Sequence, residues 1–408
     1  MHSKHCRRRP WTHLAGRVAG AAVLVVSVAA GIPAARAQTA EAPKSPALTF
    51  AATYKADVLG VVAGGGDHGA RYLDELMLAA DTDLDRAVGW KDAQVHVTVI
   101  NSLGGRPNDL AGTIQGLDNI EVSRNRLRLY EAWLEQRFAG GRVSVRAGAY
   151  DLNSEFDVTD SSGVLIQPPY GISPEFAASG PRGAPVFPSL ALGVRFKLQP
   201  RDDVYVQAAA LDALAGSVGD PGGLDTSFSA GALMVAEAGW TGSGKVAVGA
   251  WRYTQRLADI RDLTGAGAPV QRTAQGVYLL LDHPLNKPAD GVRQASAFLR
   301  LGLSDGDTSP LRSGGQAGVL IKHVFRGRPD SALSFGAAWT TLGSKFRADS
   351  ADAGAPLSHA ETSFELTYSD TVCPHLSIQP DLQYVHRPSG DPAVKDAVIV
   401  GLRTTLAF

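Results

Sequence analysis

Six consecutive residues, Gly64-Gly65-Gly66-Asp67-His68-Gly69, carry the Gly-x-Gly-x-x-Gly spacing that cradles a pyrophosphate when a helix opens behind the last glycine. Here the next segment alternates at Tyr72, Leu76, Leu78 and Ala80 instead, so the run is expected to form an exposed hairpin connection. Seven histidines follow residue 37, at 68, 96, 283, 323, 359, 375 and 386, and none stands at metal-ligand spacing from another. Serine, histidine and aspartate are present without a local pattern of nucleophile, base and orienting group. Neither a cofactor, a metal nor an enzyme is implied. What remains able to do chemistry is a set of charged and amide side chains, each set between apolar neighbours. Arg146 lies among Val143, Val145 and Ala147, Arg195 and Lys197 among Val194, Phe196 and Leu198, and Arg300 among Leu299, Leu301 and Leu303. Lys322 follows Val319 and Ile321, Glu365 alternates with Phe364, Leu366 and Tyr368, and Gln379, Asp381 and Gln383 alternate with Ile378, Leu382 and Tyr384. Arg403 sits between Leu402 and Thr404. Such groups exchange hydrogen bonds with polar solutes and need no covalent step.

Alternation of this kind belongs to strands with one apolar and one polar face. Sixteen runs of about ten residues show it, from 47–63 through 395–408. Their connections alternate in length. Tight turns fall at 139–140, 200–202, 242–243, 326–330 and 370–374, and long ones at 103–123, 153–189, 214–230, 257–273 and 343–358. The connections at 64–69 and 284–292 fit this rhythm poorly. A transmembrane β-barrel has this rhythm, with an even number of strands, short turns on the periplasmic side and longer loops outside. Phe50, Trp90, Phe138, Phe196, Trp240, Phe325, Tyr368 and Phe408 fall beside the tight turns or a terminus, where they would form one interfacial girdle. In the last strand Val398, Val400, Leu402, Leu406 and Phe408 share the face expected to meet lipid, which puts Arg403 inside.

The expected fold is therefore all-β, a closed antiparallel sixteen-stranded transmembrane barrel over 47–408 with an aqueous lumen. The 153–189 loop, about 37 residues rich in Pro and Gly and opening with Asn153, Glu155, Asp157 and Asp160, is long enough to fold inward and narrow the bore. Residues 1–37 have the form of a signal peptide, with Lys4, Arg7, Arg8, Arg9 and Arg17 before an apolar stretch at 18–32 and a cleavage point between Ala37 and Gln38. Residues 38–46 would be a short periplasmic segment. Cleavage leaves 33 basic against 40 acidic residues, so no basic footprint for nucleic acid survives. Only Cys373 remains of the two cysteines, too few for an internal disulfide. The expected location is a Gram-negative outer membrane, with lipid around the barrel.

Several segments resemble the carbohydrate-selective porin family of the OprB type, over most of 48–408. They are Asp81-Thr82-Asp83-Leu84 with Gly89-Trp90, Asn101-Ser102, Tyr130-Glu131-Ala132-Trp133-Leu134-Glu135-Gln136, Arg146-x-Gly148, Asn153-x-Glu155-Phe156, Gln379-Pro380-Asp381-Leu382-Gln383-Tyr384 and Gly401-Leu402-Arg403. The resemblance implies a channel through which small sugars, glucose-like monosaccharides above all, diffuse passively into the periplasm. The residues expected to line the pore and touch sugar are Arg146, Glu155, Arg195, Lys197, Arg300, Lys322, Glu365, Gln379, Asp381, Gln383 and Arg403. The resemblance also makes Phe408 a signal to the barrel-assembly machinery, in a chain that is either a monomer or a homotrimer. Basic groups outnumber acids among the lumen positions assigned by alternation, which leaves a general or anion-favouring pore as a second reading. A barrel that binds a partner at its surface is a third.

Overall fold

The computed structural model describes residues 46–218, 223–286 and 293–408. The expected signal peptide with its Ala37–Gln38 cleavage point, the 38–46 segment up to residue 45 and most of the 284–292 turn lie outside the described residues. Sixteen strands follow one another: β1 (Leu48–Gly65), β2 (Gly69–Asp83), β3 (Ala93–Gly104), β4 (Arg126–Phe138), β5 (Val143–Tyr150), β6 (Ala191–Arg201), β7 (Val204–Asp212) and β8 (Ala232–Trp240). The second half comprises β9 (Lys245–Leu263), β10 (Pro269–Pro284), β11 (Gln294–Ser304), β12 (Leu311–Lys322), β13 (Ala332–Leu342), β14 (Ala360–Cys373), β15 (Leu376–His386) and β16 (Lys395–Ala407). Each pairs antiparallel with its sequence neighbours, and β1 also pairs with β16, so the sheet closes into a barrel. Closure matters because lipid cannot satisfy the free N–H and C=O groups of an edge strand. At the seam Phe408 and Ala52 exchange two backbone hydrogen bonds, 2.9 and 3.2 Å long.

The two faces separate as alternation predicts. Val194, Val206, Leu366, Leu382, Val400 and Leu402 are exposed on the outside, whereas Arg195, Arg300, Glu365 and Arg403 are buried inside. Phe50, Phe138, Phe325 and Phe408 stand exposed at the tight-turn end, with Phe408 stacked on His375 at 5.0 Å. The segment 84–92 is not a plain turn. Asp83 caps a short helix, α1 (Leu84–Val88), by accepting from the Asp85 and Arg86 N–H groups, and Gly89 ends it at φ 77°. Trp90 then donates its indole N–H to Gln136 at 2.6 Å. That accounts for the spacing of Asp83, Gly89 and Trp90.

The expected long loop at 257–273 is instead a hairpin extension. β9 and β10 go on pairing, with Ala258 opposite Gln271 and Leu263 opposite Pro269, and only 264–268 turns. At 257–263 the apolar residues Leu257, Ala258, Ile260 and Leu263 no longer recur at every second position, which marks a strand that has left the membrane, not the end of backbone pairing. Gly64 and Gly65 lie at φ 64° and 68° at the top of β1, so the Gly-x-Gly-x-x-Gly run is part of a tight hairpin.

Candidate permeation pathway

The loop between β5 and β6, 151–190, lies inside the barrel, and wall carboxylates hold it by its backbone. Glu237 on β8 accepts from the Asp157 N–H at 3.0 Å. Asp282 on β10 accepts from the N–H and hydroxyl of Ser161 at 2.8 and 2.5 Å. Glu365 on β14 accepts from the Ile166 and Gln167 N–H groups at 2.5 and 2.8 Å. On β15 Gln379 donates to the Val164 carbonyl at 2.6 Å, and Gln383 accepts from the Gln167 side chain at 3.1 Å. A chain that leaves β5, reaches β14 and β15, and returns to β6 must cross the bore. A folded loop has many backbone donors that would otherwise be stranded away from water. A carboxylate accepting two of them makes charge-assisted bonds stronger than neutral ones.

Arginines complete the anchoring. Arg300 on β11 donates to the carbonyls of Asp157, Pro169 and Gly171 at 2.8 to 3.1 Å and lies 3.1 Å from the Asp157 carboxylate, with both side chains fully buried. Arg195 on β6 reaches Glu155 at 2.8 Å and Glu135 at 2.6 Å. The returning arm includes α2 (Pro174–Ala177). There Phe176 stacks on Trp251 of β9 at 5.1 Å and 2° between ring planes. Glu175 is buried against two glycines of the wall. A Cβ on Gly302 would fall 1.6 Å from Glu175 Oε1, and one on Gly314 2.5 Å from Oε2. Burial pushes the Glu175 carboxyl up to about 8, with the nearby Asp157 charge adding and Arg300 opposing.

A second insertion was not expected. The loop 105–125 between β3 and β4 also turns inward. Its Leu110, Leu117 and Ile120 pack on Leu59, Leu73, Val385 and Ile399 of the wall. Arg403 on β16 joins Asp57 of β1 to Asp118 of the loop at 2.6 and 3.1 Å. Burial and the neighbouring Asp57 raise the Asp118 carboxyl, and Arg403 counteracts them. Glu361 on β14 accepts from the Ile114 and Gln115 N–H groups at 2.8 and 3.0 Å. The apolar inward positions Leu59, Val61 and Ile399 were the available signal, since an aqueous lumen gives them no partner.

The eleven expected pore residues therefore divide. Arg195, Arg300, Glu365, Gln379, Asp381, Gln383 and Arg403 are all buried. All but Asp381 bond an inserted loop directly, and Asp381 accepts from Gln383 at 2.8 Å. Lys322 is exposed at the tight-turn end of β12. Lys197 is half-buried, its amine 5.3 Å from the Tyr205 ring. Arg146 and Glu155 keep 12% and 13% of their side-chain surface, 3.4 Å apart.

Arg146 belongs to a strip on β1 to β5. Its guanidinium lies 3.8 Å from the Trp133 ring on β4, and on the other neighbouring strand, β3, His96 stacks on Trp133 at 4.9 Å. His96 also lies 2.8 Å from Asp81 and 3.5 Å from Glu131. Lys55 on β1, 26% exposed, lies 3.4 Å from Glu75. His96 faces Trp133 and Thr98 faces Glu131 in the regular stretch below a register shift at Tyr130, and their alternation with Val95, Val97, Ala132 and Leu134 was the available signal. Strict alternation fails only across such a shift. The basic surplus among the positions assigned by parity disappears once Asp57, Glu75, Glu131, Glu135, Glu237, Asp282 and Glu361 are placed, all of them buried. No group of three or more metal-ligating side chains occurs among the described residues.

A closed sixteen-stranded barrel with a polar lumen crossed by loops is the architecture of an outer-membrane diffusion channel. The family model of the carbohydrate-selective porin, OprB family, matches residues 67–408, so the chain belongs to that family. It is 24% identical to Porin B of Pseudomonas aeruginosa over 400 residues, 87% of each protein. The structure of Pseudomonas putida OprB at high pH superposes with a TM-score of 0.81 at 23% identity, over 89% of this chain and 94% of that one. The outer-membrane channel DcaP of Acinetobacter baumannii shares the fold more distantly, with a TM-score of 0.55 at 13% identity, over 88% of this chain and 97% of that one.

Proposed function

We propose that the chain conducts small neutral sugars, glucose-like monosaccharides in particular, passively across the outer membrane and along the strip on β1 to β5. The observation that carries this reading is the cluster of Arg146, Trp133 and His96, which keeps part of its side-chain surface free beside the buried Glu131, even though Arg146 also reaches Glu155 and Glu131 accepts from the Asp151 N–H of the inserted loop. A sugar offers hydroxyls that both donate and accept. Arg146 donates, Glu131 accepts and His96 does either. Trp133 acts as a positioning residue: its ring holds the guanidinium in place by a cation–π contact. Binding must stay weak, because a solute held tightly does not leave. In this reading the signal peptide exports the chain, the long-loop end of the barrel lies on the cell's outer side, and Phe408 is the residue read by the barrel-assembly machinery.

The test is conductance in planar bilayers with glucose titrated in. Unaltered protein shows sugar-dependent reduction of current, and Arg146→Gln weakens that block while the open-channel current stays near its original value. If glucose neither blocks current nor enters liposomes faster than uncharged solutes of similar size, the sugar reading fails. The anion-favouring reading loses its support with the buried acids of the wall, and strong anion selectivity without sugar block would restore it.

A further inference from the structure

The outer surface of β7 to β13 carries a trough that sugar passage does not use. Ala208, Ala236 and Ala250 stand in register on β7, β8 and β9 and floor it with methyl groups. Val206, Val277, Leu301, Leu303 and Trp339 rise around a volume of about 790 Å³. A second hollow of about 680 Å³ shares Ala236, Ala250 and Val277 and climbs toward the long-loop end, where Arg252 lines it.

Arg252 is the feature that demands a partner. It stands one step above the alanine row, opposite Met234 and Gln275, and is exposed, as is Arg256 four residues on. No hydrogen bond or ion pair holds either guanidinium among the described residues. Asp305 also lines the hollow, but its carboxylate already accepts from the N–H groups of Gln275, Asp307 and Thr308. Height follows from the strand. Val246 pairs with Trp240 of the girdle. Arg252 is then about 15 Å above it and Arg256, opposite Thr273 across a bulge in β9, about 20 Å, for a rise of about 3.3 Å per residue and a tilt of about 40° in an apolar band about 25 Å tall. The Arg256 side chain thus reaches the outer headgroup level, and Arg252 lies one step below it, its guanidinium raised by an upward-stretched side chain. An unpaired charge on the lipid side is costly, and an anionic headgroup removes the cost.

We propose that this face binds a phosphorylated glycolipid of the outer leaflet, an acyl chain lying in the alanine-floored trough and its phosphates meeting Arg252 and Arg256. The full-length protein, extracted from outer membranes in mild detergent, is expected to retain lipid A measurable by mass spectrometry. The Arg252→Gln, Arg256→Gln double variant loses about fivefold of that retention for each arginine, with single-channel conductance unchanged as the check on folding. Ala236→Trp, which fills the trough, lowers retention while both charges remain. Salt titration of the unaltered protein gives the same information without mutation, since ionic strength screens the phosphate contacts and releases lipid. In vesicles, uptake of lipid A but neither of dephosphorylated lipid A nor of phosphatidylglycerol supports the proposal. Equal retention by the double variant, equal uptake of the dephosphorylated lipid, or a cross-link at position 236 between two copies of the chain in place of lipid would overturn it.

Discussion

Two parts of the inner wall carry the same kinds of residue and use them in opposite ways. On β6 to β16 the charged and amide groups are buried and matched to the inserted loops: Arg300 to Asp157, Glu365 to the Ile166 and Gln167 N–H groups, Arg403 to Asp118. On β1 to β5 the cluster around Trp133 keeps part of its surface free. The difference teaches that a polar lumen residue is not by that fact a solute contact. Once a loop enters a barrel, its backbone donors and carbonyls need partners, and the nearest wall groups are taken up. The wall that is left over is the wall a solute meets.

The comparison can be broken at several points. Deleting Phe408 removes the two backbone bonds to Ala52 and the stack on His375, and so threatens the closure that both parts share. Membrane insertion is expected to fail while export continues, as read by fractionation and heat-modifiable mobility, and normal insertion would count against the role given to that residue. Arg300→Met leaves Asp157 buried without its cation, a loss of about 3–5 kcal/mol. It is expected as a lower melting temperature in detergent, with faster hydrogen exchange in 151–190 than in 105–125.

Glu365→Ala strands two backbone N–H groups, at about 1–3 kcal/mol each. Release of the loop tip should enlarge the bore, giving higher conductance and weaker discrimination by solute size. Arg146→Gln acts mainly on the open side, because Glu135 and Glu155, which Arg146 also reaches, keep Arg195 as a partner. Sugar affinity is expected to fall by about 1 kcal/mol, one ordinary hydrogen bond, with the melting temperature nearly unchanged. If Arg146→Gln destabilised the barrel as much as Arg300→Met, the division of the wall would be wrong.

The smallest effect is one of pH. The Glu175 carboxyl is raised to about 8, so the folded loop favours the protonated acid relative to the unfolded chain. Its contribution is complete below the ordinary carboxylate range and is lost as pH rises toward 8. Protection of the 172–179 amides, taken relative to the intrinsic exchange rate at each pH, should fall over that interval, and Glu175→Gln should abolish that fall.

Strand number, closure and the outward face were legible because alternation repeats in every strand and lipid tolerates no other pattern. The inward direction of Arg195, Arg300, Glu365 and Arg403 followed from the same period of two. The register shift between β3 and β4 was not legible, since a bulge inserts without a sequence mark of its own; the inward direction of His96, Glu131 and Trp133, in the regular stretch below it, was legible from alternation, but their meeting across two strands was not. The continuing pairing of β9 and β10 beyond the membrane escaped because there solvent replaces lipid on the outer face and the apolar residues lose their period of two.

By itself, then, the sequence determined a closed barrel with its lipid face and its polar interior, because those depend on local periodicity and on the solvent each face meets. Only the tertiary structure decided which interior groups are spent on loops and which remain for a solute. That choice depends on contacts such as Glu365 to Ile166, nearly two hundred positions apart in the chain, and no local period carries information over such a separation.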